Sequence, residues 1–402
     1  MAEKICLISD LHLSSNPRVW KEANALAGAG YDVVILTMWT SAERRKKDLL
    51  LIHHPTITYK AALNLIPGEI DFLKRFYIRL RSRLARELKR RLNVDSAWCL
   101  GYAPQTMTKA ALNEKADLYI AHTEFGIVIG KELILKGAKV AYDIEDWYSC
   151  DYLVPERPVK LLQRLERFAL QNGVYCSCPS ESMSIALAKT YPSGKKPEVL
   201  YNGFSQNENA DVHNVPSITR SLVWFSQTIG EGRGLETIIN AISKLTSKTE
   251  LHLIGECVKG YNEQLKEFFP FDKGHELIIH PPVKHHELIL ILSRFTVGLA
   301  IENKYPESRN QTVTNKILQY LQAGIKVLAT DTKGQAEVAA HFNESVVLVP
   351  VDDPEKWAVQ IEQLFSLQAI DRTKQLSRFN ELFSWEAQEK KLLNLVNKAI
   401  NV

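Results

Sequence analysis

Thr314-Asn315-Lys316, followed by Ile317, Leu318 and Leu321 on one helical face, puts a hydroxyl, an amide and a cation at the start of a short helix. The unpaired N–H groups and positive dipole end of such a start attract anions, so this triplet suits a phosphate. Gly324 ends the helix and Val327-Leu328-Ala329 follows as an apolar strand. An ordinary capped helix in an α/β domain has the same pattern, so the rest of the chain must decide. The turn Gly230-Glu231-Gly232-Arg233-Gly234 also precedes an apolar helix, and alone it serves packing as often as phosphate binding. His122 stands at the end of an apolar run, where a core or capping histidine is the plain alternative to a catalytic one. Asp143, Glu145 and Asp146 cluster in YDIEDWY, where carboxylates orient an acceptor hydroxyl or are simply solvated.

Short apolar runs alternate with helical patterns from end to end, the sign of parallel βαβ units. Strands are expected at Ile5–Ser9, Val33–Thr37, Leu118–Ala121, Val140–Asp143, Val174–Ser177 and Val199–Tyr201. A second series is expected at Leu222–Ser226, Leu251–Ile254, Leu277–Ile279, Val297–Ile301, Lys326–Thr330 and Val346–Val349. The first helix starts with Asn16 as cap and Pro17 in the first helical position, and ends near Gly28–Gly30. Polar Asn207–Ser221, with Pro216, reads as a linker. This predicts one Rossmann-like domain over residues 1–206 and another over 221–384, with a last helix in 385–402 that packs on either, the N-terminal one included. Ligands of such domains bind beyond the carboxyl ends of the strands, and two facing domains put those ends around one cleft. That selects the loop from Asp10 through Asn16 to Arg18, His122–Gly126, Asp143–Trp147, Gly230–Gly234, Gly255, Pro281-Pro282-Val283, Glu302–Lys316 and Asp331.

At 402 residues and 45% hydrophobic composition, the chain exceeds one ordinary core, and two domains of about 200 residues fit. Six scattered cysteines match neither a zinc knuckle nor a CxxC pair, as expected of reduced thiols in the cytoplasm. No apolar run reaches the roughly 18 residues that span a bilayer. The net charge of +4 is uneven: nine basic residues against Glu87 give Lys74–Arg91 a charge of +8 and leave −4 for the remainder. Leu73, Phe76, Tyr77, Leu80, Leu84 and Leu88 recur at helical spacing in that segment. Such a basic amphipathic helix over 72–92 either lies on an anionic membrane, with Arg79, Arg83, Arg86 and Arg90 at the headgroups, or packs its apolar stripe on its own domain. Nucleic acid is not expected as a partner, since no recognised fold or repeated aromatic–basic motif accompanies the patch.

Three stretches resemble the family 4 type of retaining glycosyltransferases, which move a sugar from a nucleotide sugar to an acceptor. They are NPRVWKEANALAGAGYDVVILT (Asn16–Thr37), GEGRGLETIINAI (Gly230–Ile242) and TNKILQYLQAGIKVLATD (Thr314–Asp331), with a looser match in DLYIAHTEFG (Asp117–Gly126). The resemblance implies an α/β GT-B fold, two Rossmann-like domains facing each other across a cleft, with neither cofactor nor metal. It implies that Arg233 and Lys316, with Gly232, Thr314 and Asn315, face the donor diphosphate, and that His122 lies at the transferred sugar or the reaction centre. Gly255 and Val283 would line the base pocket, and Asn16, Arg18, Glu145 and Asp146 would meet the acceptor. Family members usually carry two glutamates eight positions apart; here Gln311 and Gln319 stand there, and a common basic residue upstream of Arg233 is replaced by Ser226-Gln227-Thr228. Glutamine still accepts hydrogen bonds from hydroxyls, more weakly than a carboxylate. The expectation is a metal-independent transferase using a UDP- or GDP-sugar and a cell-envelope glycan or lipid-linked acceptor. The alternatives are a non-catalytic protein of the same fold that binds a sugar or partner and, more weakly, an epimerase.

Overall fold

The structure, a computed structural model, describes residues 2–151, 154–209, 212 and 215–401. The chain forms two compact units. One comprises Met1–Leu200, Pro306–Ser308 and Glu389–Val402, the other Tyr201–Tyr305 and Arg309–Gln388.

In the first unit, the described strands are β1 (Lys4–Ile8), β2 (Asp32–Trp39), β3 (Ile57–Asn64), β4 (Leu118–His122), β5 (Val140–Asp143), β6 (Cys176–Cys178) and β7 (Glu198–Val199). They form one parallel sheet in the order β3-β2-β1-β4-β5-β6-β7. β1 and β4 are apolar runs because helices cover both faces of the sheet centre. β3 was not expected, although Ile57, Tyr59, Ala61 and Leu63 alternate as a half-covered edge strand should. The helix Pro17–Gly28 begins where predicted, but Asn16 makes no side-chain cap.

The helix Phe72–Leu92 spans the predicted segment, and of the two orientations left open it turns the apolar stripe outward. Its buried residues are Ile78, Ser82, Ala85 and Lys89, whereas Leu73, Phe76, Tyr77, Leu80, Leu84 and Leu88 are all exposed. The apolar stripe does not pack on its own domain. The smaller residues let the helix approach the turn at Ala97–Cys99, where Ser82 Oγ donates to the Trp98 carbonyl at 3.1 Å.

The second unit holds β8 (Ser221–Ile229), β9 (Glu250–Cys257), β10 (Glu276–His280), β11 (Val297–Ala300), β12 (Lys326–Thr330) and β13 (Val346–Val349). The order is β10-β9-β8-β11-β12-β13, again parallel. The predicted linker is not a free tether. Ser221 opens β8, and Val212 is buried with its carbonyl accepting from Arg372 Nη1 at 2.6 Å. Residues 210, 211, 213 and 214 of that stretch lie outside the described ones.

The last helix, Trp385–Ile400, begins in the second unit and enters the first at Glu389. In the first unit Tyr31 Oη donates to Asn397 Oδ1, and Lys139 Nζ to the Ile400 carbonyl at 3.1 Å.

Candidate functional site

Each sheet reverses its strand order once, between β1 and β4 in the first unit and between β8 and β11 in the second. Loops leaving the carboxyl ends of these pairs part there, which makes each reversal a ready ligand site.

At the first reversal, Thr123 holds a left-handed backbone with φ of 68°, rare for a β-branched residue. Its hydroxyl donates to Asp10 Oδ1 at 2.6 Å and accepts from the Gly126 N–H at 3.3 Å. Burial pushes the Asp10 carboxyl up to about 6 against the Thr123 bond, with Glu145 adding to the rise. The following loop is pinned by Asp48, which accepts from the Ser14 N–H at 2.8 Å and meets His12 Nδ1 at 2.6 Å.

Beside it lies a chain of buried charges. Arg18 donates twice to Asp143, at 2.6 and 2.7 Å, and once to the Leu200 carbonyl at 3.0 Å. Ser177 Oγ adds a bond to Asp143 at 2.8 Å. Burial opposes the Asp143 charge, but Arg18 outweighs it and holds the carboxyl well below the usual range. Arg18, expected at the acceptor, makes its guanidinium bonds to Asp143 and the Leu200 carbonyl. His122 is wholly enclosed, with Nε2 3.3 Å from Glu22 Oε2 and Nδ1 3.1 Å from Glu145 Oε1 and 3.4 Å from Asp143 Oδ2. Burial works against its charge, yet Glu22, Asp143 and Glu145 together raise its pKa well above the usual value. Asn16, instead of capping a helix, donates to Glu145 Oε1 at 2.7 Å.

Of the expected acceptor residues, Glu145 and Asp146 reach solvent. Glu145 is held from behind by His122 and Asn16. Asp146 is exposed, with Glu145 and Asp151 as like-charged neighbours. Glu22, His122 and Asp143 bring ligand atoms within 4.8 Å of one another, as a metal site would. Both Asp143 oxygens already accept from the Arg18 guanidinium, so a cation there would meet like charge. This donor set fits ion pairs better than a metal.

Sequence reasoning missed Glu22. It sits one turn after Arg18 on the same helix, and that spacing looks like a surface pair until the fold turns both inward. It also gave no sign of the Thr123–Asp10 bond, which depends on two distant loops meeting.

At the second reversal, β8 and β11 pair only through Leu222 and Val223, opposite Val297 and Gly298. Tyr320, fully buried, bridges the two strands: its hydroxyl donates to the Val223 carbonyl at 3.1 Å and approaches the Leu299 carbonyl at 3.3 Å. That fixes the helix Asn315–Gln322 beneath the reversal, with its start at the strand ends. Thr314 takes the extended backbone of a cap without forming a side-chain cap, and its enclosed hydroxyl has no hydrogen-bond partner among the described residues. Asn315 is exposed and accepts from Asn202 Nδ2 at 2.9 Å. Lys316 Nζ lies 3.3 Å from Glu302 Oε1 and 5.5 Å from the centre of the Trp224 ring. Arg233 is exposed on the turn after β8. Gly234 there has φ of 77°, and a side-chain carbon would come 2.5 Å from Ile301 Cγ2. Gly232 is also left-handed, at 71°, in open space.

The remaining donor candidates fare differently. Gln311 and Gln319 are 2% and 5% exposed. Gly255 is explained without a ligand, because a side-chain carbon would lie 2.1 Å from the Ser226 carbonyl oxygen where β8 slips register. Val283 packs against the core of the second unit. A groove of about 740 Å³ between the helices Leu235–Ile242 and Tyr261–Phe268 contains none of these candidates.

Residues 219–366 match the family model described as glycosyl transferases group 1. No curated protein matches the chain. Among solved structures, sucrose-phosphate synthase from Thermosynechococcus elongatus is similar at a TM-score of 0.71 and 15% identity, covering 99% of both chains. Anabaena HepE in complex with UDP gives 0.65 and 12%, covering 98% of this chain and 99% of its own. TarM gives 0.68 and 10%, covering 99% of both. The second unit thus matches the glycosyl transferases group 1 model, in a chain whose two parallel sheets have the fold of the GT-B glycosyltransferases.

Proposed function

We propose that the chain is a retaining, metal-independent glycosyltransferase that takes a UDP- or GDP-sugar and glycosylates a cell-envelope glycan or lipid-linked acceptor, working in the cytoplasm at the inner membrane face. The observation that carries this reading is the pair of cations, Arg233 and Lys316, on the two segments that serve the β8/β11 reversal. When the glycosidic bond to the nucleotide breaks, negative charge grows on the departing β-phosphate. Arg233, Lys316, the free Thr314 hydroxyl and the N–H groups of the Asn315–Gln322 helix stabilise it without a metal. Lys316 exchanges Glu302 for phosphate as the donor enters. HepE, of the same fold, has been seen with UDP and with UDP-glucose, which supports a uridine donor. The acceptor hydroxyl attacks from the face the leaving phosphate occupies and gives its proton to that phosphate, so no protein nucleophile is needed. Glu145, held by His122 and Asn16, orients the acceptor hydroxyl.

The test is calorimetric titration of UDP, GDP, ADP and TDP into the wild type and Arg233→Ala, followed by a donor and acceptor screen. One nucleotide should bind selectively, and the variant should bind it about 10- to 100-fold more weakly, as expected for losing a charged hydrogen bond. Gln311 and Gln319, neutral where relatives carry acids, favour the second reading, a binding protein without chemistry. Nucleotide binding without any transfer across the screen would select it.

A further inference from the structure

We propose that the Phe72–Leu92 helix is a docking surface for an anionic lipid bilayer. Its inner face is settled: Ile78 and Ala85 join the core of the first unit, and Lys89 is held by Asn93 at 2.6 Å and Asp95 at 2.8 Å. The opposite face carries Phe72 and Leu73, 72% and 71% exposed, then Phe76 and Leu84 at 55% and 53%. At 1.5 Å per residue this apolar stripe runs about 30 Å over 21 residues.

Cations border the stripe on both sides. Helical spacing puts Arg75, Arg79, Arg83 and Arg86 along one edge and Lys74 and Arg81 along the other. Arg90, expected among the headgroup contacts, is paired with Glu87 at 2.6 Å, and Arg91 shares the same carboxylate. None of the six bordering cations has a carboxylate partner among the described residues. A slot of about 110 Å³ opens where Arg75, Arg79 and Arg83 run beside Phe72, Phe76 and Leu80. Guanidinium groups one helical turn apart, next to aromatic rings, suit headgroup phosphates above acyl chains.

A bilayer satisfies both features at once. Nucleic acid would match the cations and leave the stripe in water, while an apolar protein face would leave six charges unmatched. Each cation at an anionic surface adds a factor of about five to partitioning. The inference extends the membrane-face reading above but stands on this helix alone.

The test is cosedimentation of the full chain with phosphatidylcholine vesicles, with and without phosphatidylglycerol, at low and high salt. The wild type should pellet with the anionic vesicles only and lose at least tenfold in partitioning at high salt. Phe76→Ser with Leu80→Ser, and separately Arg75→Gln with Arg79→Gln and Arg83→Gln, should each lose at least tenfold while keeping wild-type circular dichroism and nucleotide titration. Wild type left in the supernatant at low salt, or variants that bind as it does, would overturn the proposal. A dimer dissociated by the serine pair, without vesicle binding, would reassign the face to a second copy. Nucleotide titration is read without vesicles, so docking can fail while sugar transfer stands.

Discussion

At the scale of single residues, His122 reads either as a catalytic group or as a core histidine, and the fold buries it completely. The sequence places it where a catalytic group belongs, and the fold encloses it among Glu22, Asp143 and Glu145. Because its folded pKa lies above the unfolded value, its stabilisation is complete below about 6.5 and fades as pH rises through the folded value. The unfolding free energy should therefore fall above pH 6.5, by at most about 1.4 kcal/mol per pH unit from this proton. Glu22→Gln removes one anion from the ring, so nitrogen NMR should show His122 losing its proton at lower pH than in the wild type. An unchanged titration would dissolve the pairing. Lys316 and Arg233 were legible as cations near a helix start and a glycine turn. Arg18 was not legible as a structural clamp, because nothing in NPRVW says that Asp143, 125 residues away, lies opposite it.

At the scale of elements, twelve of the strands were readable because apolar runs between turn residues need no long-range knowledge. The exception, β3, is a half-exposed edge whose Ile57, Tyr59, Ala61 and Leu63 fall on every second position, so no continuous apolar run spans it. The sequence left the orientation of the Phe72–Leu92 helix open between two faces for a different reason. Its inner face sets Ile78 among Ser82, Ala85 and Lys89, while its other large apolar residues point away. The Asn315–Gln322 helix shows how one side chain sets an element. Tyr320→Phe removes the hydroxyl that joins the Val223 and Leu299 carbonyls, costing about 1–3 kcal/mol in chemical denaturation. Nucleotide affinity should fall with it, although Tyr320 is not expected to touch nucleotide. Unaltered affinity in a destabilised variant would restrict Tyr320 to folding.

At the scale of the whole chain, charge and connectivity matter more than any one site. The +8 segment sits in a chain whose remainder carries −4, so binding to anionic surfaces should respond to salt far more than nucleotide binding does. The division into two parallel α/β units was legible from repeating strand and helix patterns; the place of the last helix was not. Leu392 and Val396, at 1% and 0% exposure, lie in the part that belongs to the first unit. Leu392→Ala should cost about 2–5 kcal/mol in chemical denaturation. A loss below about 1 kcal/mol would mean that this helix only rests on the surface. The same connectivity has a bearing on biosynthesis. A ribosome makes Met1–Leu200 first, yet Glu389–Val402 of that unit emerges only after the second unit has been translated. The first unit is therefore completed only after the second, and until then the seat of that helix is a nascent-chain surface for chaperones to guard.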